Sequence, residues 1–144
     1  MNRLAAALVV TAMAGTLAMQ ASSAEPPLVG RATVVDGDTI EIGGTRIRLH
    51  AIDAPEGNQK PHGPAAAWAL DGYLAASRPT RCEPVDTDRW GRVVAKCFRS
   101  DGQDVQRWLV QQGHALPYLK YGGKEYAPFA VPVEYQPPWE WRKK

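Results

Sequence analysis

A pair of glycines at positions 43 and 44 separates two short runs in which apolar and polar residues alternate. The runs are Thr39–Ile42 and Thr45–Leu49. Alternation with a period of two is typical of a half-buried β-strand, and a Gly-Gly pair between two such runs predicts a two-residue hairpin turn. The β-branched run 29–35 and the Asp-Gly-Asp turn at 36–38 add another strand before this hairpin. The sequence therefore predicts three strands joined by tight turns.

Two helices and two further strands are predicted after residue 55. Pro64 fits the first turn of a helix that ends near residues 77–79, and its expected core face contains Trp68, Leu70, Tyr73 and Leu74. Runs 80–85 and 93–98 predict strands, and Asp104 is expected to cap a second helix that Gly113 ends. This order predicts a mainly β protein with helices (α+β), built as a small antiparallel barrel or sheet with the helices to one side.

The two ends of the chain differ in character from residues 29–113. A basic start, an apolar run to Met19 and small residues at 21–24 form the pattern of a secretory signal peptide. A membrane anchor is the alternative, although the run is short for a bilayer. We expect cleavage near Ala24, one domain over residues 25–144 in a secreted or periplasmic location, and no membrane attachment. Prolines and tryptophans over residues 118–144 predict an extended tail that lies on the domain, anchored by its aromatic residues, with a frayed basic end.

The charge balance limits how the protein can attract an anionic partner. There are 17 lysines and arginines against 15 aspartates and glutamates, a formal net charge of +2. The surface as a whole is therefore not strongly basic. Attraction to phosphate must come from the local placement of individual arginines.

Cys82 and Cys97 are the only cysteines of the chain. An even pair in a protein with an export signal favours a disulfide, and two buried free thiols are the alternative. Each cysteine lies in a strand-like run on either side of a turn, so a bridge between neighbouring strands is geometrically reasonable. Closing a loop of about 15 residues would stabilise the fold by roughly 3 kcal/mol.

Acidic residues cluster between positions 34 and 56, where they repel one another unless a cation compensates. Asp38 and Asp53, together with the Ala54 carbonyl, supply three oxygen ligands of the kind that calcium and magnesium take. So few protein ligands leave positions open for water and a substrate phosphate. The chain has no histidine or cysteine cluster at zinc spacing. The sequence therefore predicts a weakly held catalytic cation.

Two arginines and one glutamate complete the predicted chemistry. Arg48 and Arg92 carry planar guanidinium groups that match phosphate oxygens in pairs, and Glu56 is placed to hold or deprotonate a water beside the metal. Each of these residues also has an ordinary interpretation as a turn former or a surface ion pair. Their combination is what favours hydrolysis of a phosphodiester.

Three blocks of sequence carry these residues, and their order and spacing are distinctive. The blocks are Asp36-Gly37-Asp38-Thr39, Arg48 followed by Ile52-Asp53-Ala54-Pro55-Glu56, and Asp88-Arg89-Trp90-Gly91-Arg92. Together they resemble the signature of the staphylococcal-nuclease-like family (thermonucleases), over roughly residues 29–113. The resemblance implies a five-stranded OB-fold-type barrel with two helices, and calcium-dependent hydrolysis of DNA and RNA that leaves 3′-phosphate ends.

The resemblance also implies a role for each matching position. Asp38, Asp53 and the Ala54 carbonyl would bind Ca²⁺, and Asp36 would support these ligands from behind. Arg48 and Arg92 would bind the scissile phosphate, and Glu56 would position or activate the attacking water. Further contacts to nucleic acid are implied for Arg89, Trp90 and either Tyr118 or Tyr121.

The chain departs from the family pattern after Gly113. Family members commonly continue with a charged third helix, which is not visible in this sequence, whereas the ending Pro138–Arg142 resembles the tail of secreted members. The resulting hypothesis is an exported, monomeric, calcium-dependent endonuclease that acts on DNA and RNA and prefers single strands, with no protein partner. The alternative is a non-catalytic OB-fold module that binds oligonucleotides through its exposed aromatic residues.

Overall fold

Residues 25–144 are described by the structure, a computed structural model. The signal peptide expected over residues 1–24 lies outside them. The strands are β1 (Leu28–Gly30), β2 (Thr33–Asp36), β3 (Thr39–Ile42), β4 (Thr45–Leu49), β5 (Ile52–Asp53), β6 (Thr80–Thr87), β7 (Val93–Phe98) and β8 (Leu116–Pro117). The α-helices are α1 (His62–Ala75), α2 (Val105–Gln111) and α3 (Pro138–Trp141). No helix in this part of the chain is long and apolar enough to cross a membrane.

Six strands form one curved sheet in the order β1-β6-β7-β4-β3-β2. Strands β1 and β2 lie at opposite edges of this order, yet only Arg31 and Ala32 separate them in the chain. The sheet must therefore curl until its edges approach each other, which is the arrangement of a barrel. The single strand predicted over residues 29–35 is in fact two strands that pair with different neighbours. This division accounts for the difference between the five predicted strands and the six observed in the main sheet.

The predicted hairpin is confirmed. Ile42 pairs with Thr45 at the end of the β3–β4 ladder, and Gly43 and Gly44 have φ angles of 57° and 81°. Positive φ at both central residues is the requirement of a type I′ turn, which glycine meets without steric cost. The remaining strands of the main sheet pair antiparallel, except that β4 and β7 run parallel.

Helix α1 packs over strand β2 with Ala66, Leu70, Tyr73 and Leu74 buried. The prediction that Trp68 belongs to this core face is wrong, since its side chain is 82% exposed. The buried residues recur at intervals of three and four, which keeps them on one side of a helix, whereas residue 68 is turned to the opposite side. Helix α2 is capped as predicted, with the Asp104 side chain accepting a hydrogen bond from the Arg107 amide at 2.9 Å.

Cys82 and Cys97 form the predicted disulfide between adjacent strands. They are directly opposed in the β6–β7 register, and both are fully buried. The disulfide joins β6 to β7, the strand against which α2 packs.

The segment after residue 118 is not the extended tail that the prolines predicted. It contains three single-turn 3₁₀ helices, over Leu119–Tyr121, Gly123–Glu125 and Ala127–Phe129, followed by α3. Tyr126 is 2% exposed, and its hydroxyl donates a hydrogen bond to Asp104 Oδ2 at 3.0 Å. Proline stops regular helices but permits short turns, so the segment folds back onto the barrel as a series of turns.

Candidate functional site

The turn between β2 and β3 places the first two carboxylates. The β2–β3 ladder shifts register between Val34 and Asp36, and the Asp38 amide donates to Asp36 Oδ1 at 3.2 Å. Asp38 is buried, and its Oδ2 accepts a hydrogen bond from the Ala54 amide at 2.8 Å. Gly37 sits between them where any side chain would come within 2.8 Å of the Cβ atoms of Ala54 and Ala66. The Asp-Gly-Asp turn is therefore packed against the element that carries Asp53.

Asp53 lies at the end of the two-residue strand β5 and is fully buried. Ala51, just before β5, has a φ angle of 64°, the only positive φ of a non-glycine residue within residues 25–144. Such a backbone conformation is unfavourable for alanine and is retained only where the surrounding structure enforces it. Here it reverses the chain between β4 and β5.

Arg48 on β4 binds both buried aspartates at once. Its Nη2 lies 3.1 Å from Asp53 Oδ1 and 3.2 Å from Asp38 Oδ2, and its Nη1 donates to the Leu49 carbonyl. The guanidinium is itself largely buried, with 16% of the side chain exposed. Three residues predicted to act together, Arg48, Asp38 and Asp53, are therefore in direct contact.

Glu56 lies at the mouth of this site, on the loop between β5 and α1. Its amide donates to Gln59 Oε1 at 3.3 Å, and its carbonyl accepts from the Gln59 amide at 2.8 Å. A side chain at Gly63 would collide with the Glu56 carbonyl, because the added Cβ would be only 1.9 Å away. The loop is thus fixed closely against α1, while about a third of the Glu56 side chain stays exposed.

Arg142 is the residue of the site that the sequence analysis missed. Its Nη2 lies 2.5 Å from Asp53 Oδ2, and its Nη1 contacts Asp53 Oδ1 at 3.3 Å and the Glu56 carboxylate. The end of the chain was predicted to be frayed, but Arg142 follows α3 directly and is held by two acidic side chains. The sequence shows only that Arg142 is a basic residue after two tryptophans. This feature does not indicate a contact with Glu56, which lies 86 positions earlier in the chain.

Arg92 lies at the start of the strand that pairs with the Arg48 strand, but its side chain bonds to a residue outside the site. It immediately precedes β7, whose Val93 pairs with Ile47 beside Arg48. Its Nε donates to Asp88 Oδ2 at 2.6 Å. The exposed Trp90 ring packs against both neighbouring arginines, with the guanidinium carbons of Arg89 and Arg92 4.2 and 5.4 Å from its centroid. The structure thus groups Arg92 with Arg89 and Trp90 on the β6–β7 hairpin.

The two candidate tyrosines lie on the first turn after β8. The Tyr118 amide donates to the Ala51 carbonyl at 2.8 Å, which ties this turn to the element carrying Asp53. The Tyr118 ring stacks on Trp139 of α3, with centroids 5.1 Å apart and planes 14° from parallel. Tyr121 meets Tyr118 edge to face and is more than half exposed.

Burial and mutual repulsion set the acidity of the three aspartates. Burial raises the pKa of Asp53 to about 6, against the opposing hydrogen bonds from Arg142. Burial also raises the pKa of Asp36 to about 6, with repulsion from the Asp38 charge adding to the effect. Burial acts in the same direction on Asp38, but the Arg48 charge and the hydrogen bonds that Asp38 accepts outweigh it and hold the pKa of Asp38 below its usual range. The group therefore favours binding an additional cation.

The residues present fit a hard cation. Asp38 and Asp53 both contact one Arg48 nitrogen, so their carboxylates lie close to each other. All the predicted ligands are oxygens, as calcium and magnesium prefer. Within residues 25–144 no three histidine, cysteine or acidic side chains are grouped so as to hold a metal. A metal beside these two carboxylates would therefore take both of them, with the Ala54 carbonyl as the predicted third ligand, and leave its other positions to water or substrate.

A curled sheet of short strands, with a buried arginine and aspartate cluster at one end, defines an OB-fold protein with a polar site suited to a cation and an anion. Comparison with known proteins identifies the family. Residues 46–131, more than half of the chain, match the family described as staphylococcal nuclease homologues. The chain belongs to this family.

Two known proteins are similar to this chain over more than two thirds of its length. The succinoglycan biosynthesis protein ExoI of Rhizobium meliloti (strain 1021) is 47% identical over 113 residues, which cover 72% of this chain and 59% of the relative. An uncharacterized endonuclease of Escherichia coli is 32% identical over 132 residues, which cover 77% of this chain and 82% of the relative. The chain thus spans about three fifths of the length of the first relative and most of the second.

Proposed function

We propose that the protein is an exported, calcium-dependent endonuclease that hydrolyses DNA and RNA to products with 3′-phosphate ends. The observation that carries the proposal is the contact of one buried guanidinium, that of Arg48, with two buried carboxylates, those of Asp38 and Asp53. Membership of a nuclease family and the name of the Escherichia coli relative support the same reaction class.

We assign each residue a role that its position supports. Calcium held by Asp38, Asp53 and the Ala54 carbonyl, with Asp36 behind them, would neutralise the charge that builds on the phosphate oxygens. Arg48 donates hydrogen bonds from a fixed position, so it can stabilise the five-coordinate phosphorus without first being ordered. Glu56 is exposed enough to meet water and accepts its proton as the water oxygen attacks phosphorus. The bond from phosphorus to the 5′ oxygen breaks, and this oxygen keeps the electron pair of the bond and takes a proton from solvent to leave as a hydroxyl.

Arg92 completes the phosphate contacts in this proposal. Its bond to Asp88 fixes the side chain on the hairpin next to Arg48. A phosphate has to compete with Asp88 for the Arg92 guanidinium, which offers five donors and can serve both partners.

The substrate contacts are assigned to aromatic residues near the site. The exposed Trp90, flanked by Arg89, and either the half-buried Tyr118 or the exposed Tyr121 are the rings on which we propose that unpaired bases stack. Stacking of this kind requires bases that are free of a duplex, which supports a preference for single strands of DNA or RNA.

The test is cleavage of a labelled single-stranded oligonucleotide with calcium and with a chelator. Glu56→Gln keeps the shape of the side chain but cannot accept the proton, so we expect the rate to fall by roughly 10²-fold or more. Glu83→Gln is the matched control, because Glu83 is exposed on β6 and pairs with Arg81 away from the site. It should cleave at the rate of the unaltered protein.

Two results would contradict the proposal. Equal rates for Glu56→Gln and the control would remove Glu56 from the chemistry. Binding of the oligonucleotide without any cleavage in calcium would instead favour the OB-fold binding module, for which the exposed Trp90 between two arginines is the supporting observation.

Export is tested separately. The buried Cys82–Cys97 disulfide is of the kind that forms in oxidising compartments, which supports a secreted or periplasmic protein. Expression of the full chain in a bacterium, followed by fractionation and N-terminal sequencing, should yield a protein outside the cytoplasm that begins at Glu25. A protein retained in the cytoplasm with Met1 in place would contradict export.

A further inference from the structure

The segment Gln136–Arg142, here called the C-terminal cap, covers the candidate site through two different side chains. Arg142 occupies the carboxylates of Asp53 and Glu56, and Trp139 covers the ring of Tyr118. The structure thus places one cationic and one aromatic group of the protein's own tail at the positions proposed for the metal and the base.

Both oxygens of Asp53 are engaged by guanidinium groups. Oδ2 accepts from Arg142 at 2.5 Å, and Oδ1 accepts from Arg48 at 3.1 Å and from Arg142 at 3.3 Å. A calcium ion that binds Asp53 needs at least one of these oxygens and would lie beside two positive charges. Arg48 is buried and also holds Asp38, whereas Arg142 is 41% exposed. Arg142 is therefore the group that calcium can displace.

The two contacts belong to one small rigid unit. Trp139 lies within α3 and Arg142 directly follows this helix, so the two residues are three positions apart and project from the same side of the helix. Pro138 begins the helix and is buried. Because a helix of four residues has little stability of its own, its conformation depends on its contacts with the barrel. Loss of the Arg142 contact should consequently loosen Trp139 as well.

The remaining contacts of the cap join the loop that carries Glu56. Gln59 Nε2 donates to the Gln136 carbonyl at 2.6 Å, and Trp141 Nε1 donates to Asn58 Oδ1 at 3.3 Å. The Trp141 contact is exposed and exchanges readily for contacts with water, whereas Gln59 is buried and holds the start of the cap. The end of the cap, with Trp141 and Arg142, is therefore the part that solvent, a metal ion or a substrate can displace.

We propose that the C-terminal cap is an autoinhibitory element that competes with calcium at Asp53 and with a nucleobase at Tyr118, and that calcium releases it. The inference rests on the calcium site of the proposed function. A ligand that binds only the open state shifts the protein towards that state. By thermodynamic linkage, the docked cap lowers the affinity for calcium by the same factor by which bound calcium lowers the affinity of the cap for the barrel.

The first test is the calcium affinity of the full chain by isothermal titration calorimetry. Arg142→Gln removes the competing guanidinium, so its affinity should rise by about tenfold. Lys143→Gln is the matched control, because it removes the same charge from the next residue of the tail. Equal affinities for Arg142→Gln and the control would contradict the inference while leaving the calcium site intact.

The second test separates displacement of the cap from a simple change of charge. Trp139→Ala leaves every charge in place but removes the stacking on Tyr118. If the cap docks as a unit, calcium affinity should also rise in this variant, by roughly two- to fivefold. No change in Trp139→Ala would show that Arg142 acts alone and would overturn the cap as a coupled element.

Hydrogen exchange gives a readout that does not depend on catalysis. In the unaltered protein, calcium should increase the exchange of the amides of residues 140–144, which donate the hydrogen bonds of α3 and its end, relative to the same protein in a chelator. Unchanged protection in calcium would contradict release. If no variant binds calcium at all, the proposed calcium site and this inference both fail.

Cleavage distinguishes inhibition from a positioning role for Arg142. An inhibitory cap predicts that Arg142→Gln cleaves faster than the unaltered protein at limiting calcium and equally fast at saturating calcium. A residue that positions Glu56 would instead lower the rate at saturating calcium. That second result would overturn the proposal.

Discussion

Residues 34–56 and residues 136–142 reach the same site in different ways. The first stretch places Asp38, Asp53 and Arg48 through strand pairing and a hairpin, with contacts between residues 5 to 16 positions apart. The second brings Arg142 to Asp53 from 89 positions away, through side chains of a short helix. The first arrangement is buried, whereas the second remains partly exposed. We therefore interpret the cluster of Asp38, Asp53 and Arg48 as fixed, and the Arg142 contacts that cover it as releasable.

The largest expected effect on stability comes from Arg48. Arg48→Ala leaves Asp38 and Asp53 buried without their shared countercharge, so we expect a loss of about 3 kcal/mol in the free energy of unfolding without calcium. Calcium should restore part of this loss, because it supplies a cation at the same carboxylates. Chemical denaturation in a chelator and in calcium measures both effects.

Arg46→Ala is the matched control for this prediction. Arg46 lies on the same strand but is 61% exposed, and it approaches Glu41 only at 3.8 Å. Its replacement should change the unfolding free energy by less than about 1 kcal/mol. Equal losses in the two variants would mean that the buried contacts of Arg48 are not what distinguishes the first region.

A smaller effect is expected from tight packing at Gly37. Gly37→Ala would place a methyl group 2.8 Å from both Ala54 and Ala66, in a region fixed on two sides. We expect a loss of roughly 2 kcal/mol and a shift of Asp38 that weakens calcium binding. Gly57→Ala meets no atom within 4 Å and is the control. If Gly37→Ala is as stable as this control, the acidic turn is more adaptable than the structure indicates.

The smallest effect is expected at the C-terminal cap. Arg142→Ala removes a guanidinium that is 41% exposed and leaves Arg48 in contact with Asp53, so the free energy of unfolding without calcium should fall by about 1 kcal/mol or less. Lys143→Ala serves as its control in the same denaturation experiment. A loss as large as that of Arg48→Ala would show that the cap is part of the permanent fold, and the contrast between the two regions would disappear.

Local sequence was sufficient for much of the fold. The Gly43-Gly44 hairpin, the Asp104 cap and the Cys82–Cys97 disulfide were all predicted and are present. Each depends on residues close in sequence or on a general rule of redox chemistry. The error at Trp68 arose because a short apolar run does not reveal which side of a helix faces the core.

The acidic stretch was also recognisable, because its carboxylates combine with Arg48 in one short segment. The structure brings Asp38, Asp53 and Arg48 into direct contact, and it places Glu56 on the adjacent loop. Their catalytic roles stay predictions. Arg92 was expected to complete a clamp with Arg48, and the structure instead records its bond to Asp88, a local pairing that spacing alone does not distinguish from a phosphate contact.

The sequence by itself determined the β3–β4 hairpin, most of the strands and the family. Only the tertiary structure decided that β1 and β2 divide between the two edges of the sheet and that Arg142 reaches Asp53. Alternation, turns and caps are set by interactions between near neighbours in the chain. Which distant cation meets a buried carboxylate depends on the packing of the whole barrel, and a proline-rich segment carries no period from which its path could be read.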